Sequence, residues 1–253
     1  MTLSTRSPRA TLALLVAAAS LTLVPYDDAR SAGDKIAGSG VTKTEARSVS
    51  GFHSIGLGVD ATVKVRQGDS EGLSISGDDN VIALVETVVE NGVLKIRWPS
   101  KRYLTVTYKT LDIVVSVKDI DGLAVQGSGR IRADQIKSGK LRAAIDGSGE
   151  IAIDKLDSDQ LDVAINGSGR ASVAGRADSI AVALSGSGQL AAAKLATLRT
   201  SIVLEGSPQA SVRVKEQLKA VIAGSGEIRY YGDPQLTQTI AGSGRIKRVG
   251  DVP

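Results

Sequence analysis

The tripeptide Gly-Ser-Gly returns along the second half of the chain. It occurs at Gly127-Ser128-Gly129, Gly147-Ser148-Gly149, Gly167-Ser168-Gly169, Gly186-Ser187-Gly188, Gly224-Ser225-Gly226 and Gly242-Ser243-Gly244, with a degenerate copy at Gly206-Ser207-Pro208. The spacing is nearly constant up to Gly206 and slightly shorter beyond it. A sustained period of roughly 20 residues is the mark of stacked units. Glycine tolerates positive φ and the close passage of another backbone, so the recurring pair marks the same tight corner in every unit.

Aligning the copies on their corners exposes ladders. Two positions before the first glycine stand Val125, Ile145, Ile165, Leu184, Leu204, Ile222 and Ile240, all aliphatic. Two positions after the tripeptide stand Ile131, Ile151, Ala171, Leu190, Ala210, Ile228 and Ile246. These are inward rows at the period of two proper to strands. The residue directly after each tripeptide forms an outward column, Arg130, Glu150, Arg170, Gln189, Gln209, Glu227 and Arg245, in which like charges never adjoin. A unit of this length is too short for a helical hairpin or a propeller blade and suits one coil of a parallel β-solenoid. The fold class expected is therefore all-β, with about seven coils of roughly 18–20 residues. Only 3% of residues are aromatic, which fits a core tiled with small aliphatics.

The first residues read as an address. Arg6 and Arg9 precede an apolar run from Ala10 to Val24, and Ala29, Ser31 and Ala32 supply small residues for cleavage, so 1–31 is expected to be a signal peptide. An uncleaved anchor is the alternative. The chain has no cysteine, so stability in an oxidising compartment has to come from packing and backbone pairing. The expected location is the periplasm, the outer-membrane surface or the extracellular space, with no membrane span in the mature chain. Residues 32–50, with an isolated Gly38-Ser39-Gly40, read as linker or edge strand, and 51–253 as one solenoid domain with 51–104 as its cap and 105–253 as its coils.

Within the cap, Ala61–Arg66 and Leu73–Ser76 alternate and are expected to form a hairpin. Asp78 or Asp79 can cap a short helix carrying Val81, Leu84, Val85 and Val88 on one face. A competing reading turns Glu86–Glu90 back on Val93–Trp98 through Asn91-Gly92, a pair that favours a type I′ turn. The helix is the first expectation and the hairpin the second.

The chemistry-bearing residues are sparse. The 31 Lys and Arg alternate with 27 Asp and Glu and lack interleaved aromatics, which argues against nucleic acid. His53 is the single histidine, so neither a histidine-rich metal site nor a Ser-His-Asp arrangement is expected, and His53 itself reads as a turn or edge residue. Calcium-binding repeats need an acidic oxygen at a fixed place in successive coils, whereas Asp134 and Asp154 give way to Ala174. The repeated serines lack the Gly-x-Ser-x-Gly context of a nucleophile elbow, and no Lys or helix follows the glycines as phosphate binding requires. No cofactor is expected. Asp157, Asp159 and Asp162, with Asp154 and Asp178 nearby, form the one acidic cluster that polysaccharide chemistry could use, and Trp98, Tyr103, Tyr108, Tyr230 and Tyr231 are the available sugar platforms.

Three segments carry a family likeness: Val49–Ile55 (VSGFHSI), Gly77–Trp98 (GDDNVIALVETVVENGVLKIRW), and the Gly-Ser-Gly corners together with Ile228–Pro234. Through them the chain resembles the bacterial family described as "putative auto-transporter adhesin, head GIN domain". The resemblance implies a right-handed β-solenoid of irregular coils, found in exported proteins, without established enzymatic activity. Only Val252 and Pro253 follow the last coil, so a complete autotransporter with its own membrane barrel is not expected. The function expected is a non-enzymatic envelope or surface interaction module that binds a surface glycan or protein. The alternatives are an envelope polysaccharide-binding or polysaccharide-cleaving enzyme and a self-assembling structural protein. A homo-oligomer through the solenoid ends is a further expectation, because the terminal strands expose unpaired edges. Candidate ligand-facing residues are Arg130, Glu150, Arg170, Glu227, Arg245, Tyr230 and Tyr231.

Overall fold

The structure, a computed structural model, describes residues 34–99 and 104–250. The expected signal segment over 1–31, Tyr103, and Val252 and Pro253 lie outside the described residues. Strands make up 74% of the described residues and helix 2%, wound into a β-solenoid of about six turns. One coil shows how alternation builds the core. In Glu150–Gly167, Ile151 and Ile153 point inward before a bulge, Leu156 and Ser158 after it, and Leu161, Val163 and Ile165 beyond a further corner at Asp159. All seven are buried.

Parallel register then joins equivalent positions of neighbouring coils. Val125, Ile145, Ile165, Leu184, Leu204, Ile222 and Ile240 follow one another without a break, as the spacing requires. The first six are buried, and Ile240 on the last described coil is 41% exposed. Each fully buried Leu or Ile contributes roughly 1.5–3 kcal/mol of transfer free energy, so these rows supply most of the driving force for stacking.

The glycines make that stacking possible. The first glycine of each corner has φ between +91° and +128°. From Gly147 to Gly242, a Cβ added there would lie 2.3–2.8 Å from the carbonyl oxygen of the corresponding glycine in the preceding coil. With no side chain in the way, Ser148, Ser168, Ser187, Ser207 and Ser225 donate their amides to those carbonyls at 2.7–2.9 Å. The residue after each tripeptide donates to the carbonyl of the preceding corner's third residue at 2.9–3.0 Å. Neither bond uses the third residue's own amide, which is why Pro208 can stand there.

Steric room at the third position depends on the residue beneath. A Cβ on Gly149, Gly169, Gly188 or Gly244 would meet a β-branch methyl of Val125, Ile145, Ile165 or Ile222 at 2.4–2.7 Å. On Gly226 nothing lies closer than Pro208 O at 3.0 Å, and the side chain beneath is met at Leu204 Cδ1, 3.1 Å away and more yielding. Pro208 likewise sits above a leucine, Leu184, which has no branch at Cβ.

The N-terminal end is assembled out of chain order. Val93–Arg97 stacks parallel on Ser54–Gly58, which stacks on Gly122–Gly127. Leu111–Val117 stacks parallel on Thr62–Gln67, which stacks on Arg130–Ala133. Residues 54–67 therefore form a coil of their own, turning through Val59-Asp60-Ala61 instead of a Gly-Ser-Gly corner. The expected hairpin between Ala61–Arg66 and Leu73–Ser76 does not form. Leu111–Val117 lies between the two, and Ile113 is the partner of Val63 on one side and of Ile75 on the other. Alternation correctly marks both strands as half-buried, but an intervening strand with Ile113 and Val115 fully buried takes the partner position.

The helix is shorter than expected. It covers Asp79–Ile82, and Val88 belongs instead to the strand Glu86–Glu90, antiparallel to Val93–Arg97. Asn91 and Gly92 turn the chain with φ of +52° and +75°, as the second expectation required. The run Thr87-Val88-Val89 is β-branched and disfavours a helix beyond one turn. Thr42–Arg47 forms an edge strand antiparallel to Gly72–Asp78, and Arg47 fastens it by donating to the carbonyls of Ile82 at 2.7 Å and Val85 at 2.6 Å. Gly38-Ser39-Gly40 is gripped from across the cap, with Ser39 and Gly40 amides bonded to Asn80 Oδ1 and Asp78 Oδ1.

The corner packing separates two otherwise similar substitutions. Gly169→Ala, beneath which Ile145 cannot yield, is expected to lower stability by about 1–3 kcal/mol, while Gly226→Ala costs clearly less. Urea midpoints of the two variants check this ordering.

Candidate functional site

A parallel stack turns every outward residue into part of a column. The charged column is continuous in register from Arg130 through Glu150, Arg170, Gln189, Gln209 and Glu227 to Arg245. Glu150 is approached by Arg130 Nε at 3.5 Å and by Arg132 Nη2 at 3.7 Å. Glu227 accepts a 2.7 Å bond from Arg229 Nε, which holds its carboxyl below the ordinary range against partial desolvation. Such exposed pairs fix register more than they add stability. The structure thus brings Arg130, Glu150 and Arg170 together at one end of the column and Glu227 and Arg245 at the other, with two glutamines between.

The tyrosines stand elsewhere. Tyr230 follows Val212 in an inward row and packs, half-buried, against the core. Tyr231 is in register with Arg213. Trp98 and Tyr108 pack edge to face at 6.0 Å, and the Tyr108 hydroxyl donates to Asp60 O at 2.6 Å. Burial first, and the Asp60 charge second, push the Tyr108 hydroxyl up to about 12.

Two residues of the acidic cluster are engaged. Asp157 accepts from Arg176 Nε at 2.7 Å. Asp162 faces Lys140 at 3.2 Å and Arg142 at 3.7 Å and accepts from Gln160 at 2.9 Å. His53 and Ser54 both reach Asp121 Oδ1, at 2.9 and 2.5 Å. A nucleophile needs its base within reach and the base an orienting partner, but here the serine donates to the carboxylate and not to the imidazole. The far edge of the His53 ring lies against the turn, where a Cβ on Gly92 would come within 2.2 Å of Nε2. Among the described residues no group of three or more His, Asp or Glu is placed to hold a metal ion.

The surface that sequence reasoning missed is apolar. Three positions before each first glycine stand Ala124, Ala144, Ala164, Ala183, Val203 and Val221, joined rung to rung by the parallel register. They point outward, and Val203 and Val221 are 39% and 41% exposed. Small side chains along this line leave a groove of about 480 Å³, bordered by the polar column Gln126, Asp146, Asn166, Ser185 and Glu205. The signal lay in the same alignment that revealed the core rows, one residue further from each glycine.

Fold and surface together define an all-β parallel solenoid, closed at its N-terminal end by a mixed cap and carrying regular outward columns. The chain belongs to the family described as "Putative auto-transporter adhesin, head GIN domain", whose model matches residues 51–234. Solved structures show the same fold. A "putative lipid binding protein" of Parabacteroides distasonis aligns at 26% identity over 87% of this chain and 100% of that one, with a TM-score of 0.73. A "putative adhesin" of Bacteroides fragilis aligns at 24% identity over 83% of this chain and 98% of that one, with a TM-score of 0.78. A "putative adhesin" of Parabacteroides merdae aligns at 21% identity over 87% and 100%, with a TM-score of 0.65. The search of curated proteins found no match. Among the described residues no helix is long and apolar enough to cross a membrane.

The carboxylates give the surface a pH signature. At Asp121, burial raises the pKa, but the bonds from His53 and Ser54 outweigh it and leave the group below its ordinary value. Asp79, Glu90 and Asp157 are also lowered, each chiefly by a side-chain hydrogen bond, from Ser39, Lys95 and Arg176 respectively. A lowered folded value means that this stability is complete above the unfolded carboxylate pKa and is lost as pH falls through the folded one. Melting temperature is expected to decline from pH 5 to pH 3, and Asp121→Asn to decline less steeply than wild type in a thermal melt series.

Proposed function

We propose that the protein is an exported, non-enzymatic interaction module of the cell envelope or surface that captures a protein partner along its apolar groove. The observation that carries this reading is the unbroken outward line from Ala124 to Val221, whose stretch to Val203 lines the groove and which holds two exposed valines. Contiguous exposed apolar surface rimmed by polar residues marks interaction sites. Register across successive coils holds the groove rigid, so little conformational entropy is lost when a partner docks. A protein partner fits this surface better than a glycan, because sugar subsites favour exposed aromatic platforms and this line has only alanine and valine. Family membership supports the reading, since the family's own description is of adhesins. The charged column plays the supporting role of fixing register.

Arrays of matrix and envelope proteins, glycans and phospholipid vesicles test the proposal on the mature chain. Saturable capture of a protein, lost on Ala164→Arg with an unchanged melting temperature, is the expected result. Glycan capture, release of reducing sugar, or vesicle binding alone would overturn it.

A further inference from the structure

The corner spacing tightens beyond Gly206, and a second cleft lies beside the change. The coil opened by Gly186 runs to Gly206, whereas the coil opened by Gly206 closes sooner, at Gly224. Register shows where the residues are lost. Ala192 is in register with Val212 and the next pair is Ala196 with Arg213, so Ala193, Lys194 and Leu195 have no counterpart in the shorter coil, which gives one residue back where Lys215 and Glu216 stand opposite Leu198. On this side of the stack lies a cleft of about 540 Å³, bordered by four successive coils from Arg176 to Asp233, a volume typical of small-molecule sites.

The chemistry of the cleft is two-sided. Its apolar wall is made by the partly exposed Ala196 and Leu198. Thr197 Oγ1 lies 2.7 Å from Arg213 O and 2.9 Å from Thr200 Oγ1, so the backbone that presents Arg213 is fixed from within. Around the rim the charges do not cancel. Arg176 is held by Asp157 at 2.7 Å, and Asp233 faces Arg248 at 3.3 Å. Arg213 and Lys215 make no ion pair among the described residues, and Asp178 is the remaining carboxylate. Two uncommitted cations beside an apolar wall complement an anionic head joined to a short aliphatic chain.

We infer that this cleft binds a single-chain amphiphile with an anionic head, a carboxylate or phosphate monoester on Arg213 and Lys215 with its chain against Ala196 and Leu198. A guanidinium presents the paired donors that both oxyanions accept. The site is separate from the Ala124–Val203 groove and does not rest on the protein-capture reading.

Calorimetric titration of the mature chain with sodium decanoate and with decyl phosphate, both below their micelle concentrations, tests the assignment. One saturable site is expected for at least one of the two, and the tighter of them identifies the head group. Arg213→Gln should weaken binding roughly tenfold or more, and Leu198→Asp should abolish it, with melting temperatures confirming that both variants fold. Acetate should not bind, and Arg170→Gln, on the distant charged column, should leave affinity unchanged. Absence of a saturable site, equal binding of decanol, or affinity indifferent to Arg213→Gln and Leu198→Asp would overturn the assignment.

Discussion

The close passage of one coil's backbone over the next, at the first glycine of each corner, is the contact on which the rest of the solenoid depends. With the carbonyl of the glycine below only 2.3–2.8 Å from where a Cβ would sit, any side chain would push the coils apart. Without one, a serine amide reaches that carbonyl and the rung closes. Strand spacing is then set by hydrogen bonding from one corner to the next. The aliphatic rows inside, the charged column outside and the apolar groove are consequences of a register that the corner enforces.

Because the corner fixes register, small changes of period become shape. The units between Gly127 and Gly206, nearly equal in length, stack flush and give the straight groove over Ala124–Val203. Where the shorter unit from Gly206 to Gly224 shifts register against its neighbour, the stack carries the cleft lined by Leu198. The same register tolerates Pro208 because the third corner position donates no bond to the neighbouring coil and stands above Leu184 instead of a β-branched residue. Capping obeys different rules: there the order of strands in space departs from the order in sequence, and Arg47 and the Asp78–Asn80 segment tie the edge together by side-chain bonds.

Much of this was legible from spacing. The inward rows, the charged column and the coil architecture follow from period and alternation, since identical positions must stack in a parallel solenoid. The cap was legible only in part. Alternation identified Ala61–Arg66 and Leu73–Ser76 as half-buried strands, yet their true neighbour, Leu111–Val117, is far along the chain, and pairing at that distance leaves no local signal. The Asn91-Gly92 turn was readable because its positive φ values demand those residues, while the extent of the helix was overestimated by counting apolar spacing without weighing Thr87, Val88 and Val89. The groove escaped notice because alanine, read alone, looks like core filler. The cleft escaped because it lies beside missing residues.

Amide hydrogen exchange at the corner serines reports whether the corner hydrogen bonds hold the coils together. Ser148, Ser168, Ser187, Ser207 and Ser225 sit on exposed corners, where an unbonded amide would exchange at nearly its intrinsic rate. If each donates to the glycine carbonyl of the coil below, exchange at all five should be slowed by roughly 100-fold or more. Exchange at the intrinsic rate would mean that the corners do not hold the coils together, and would contradict the account.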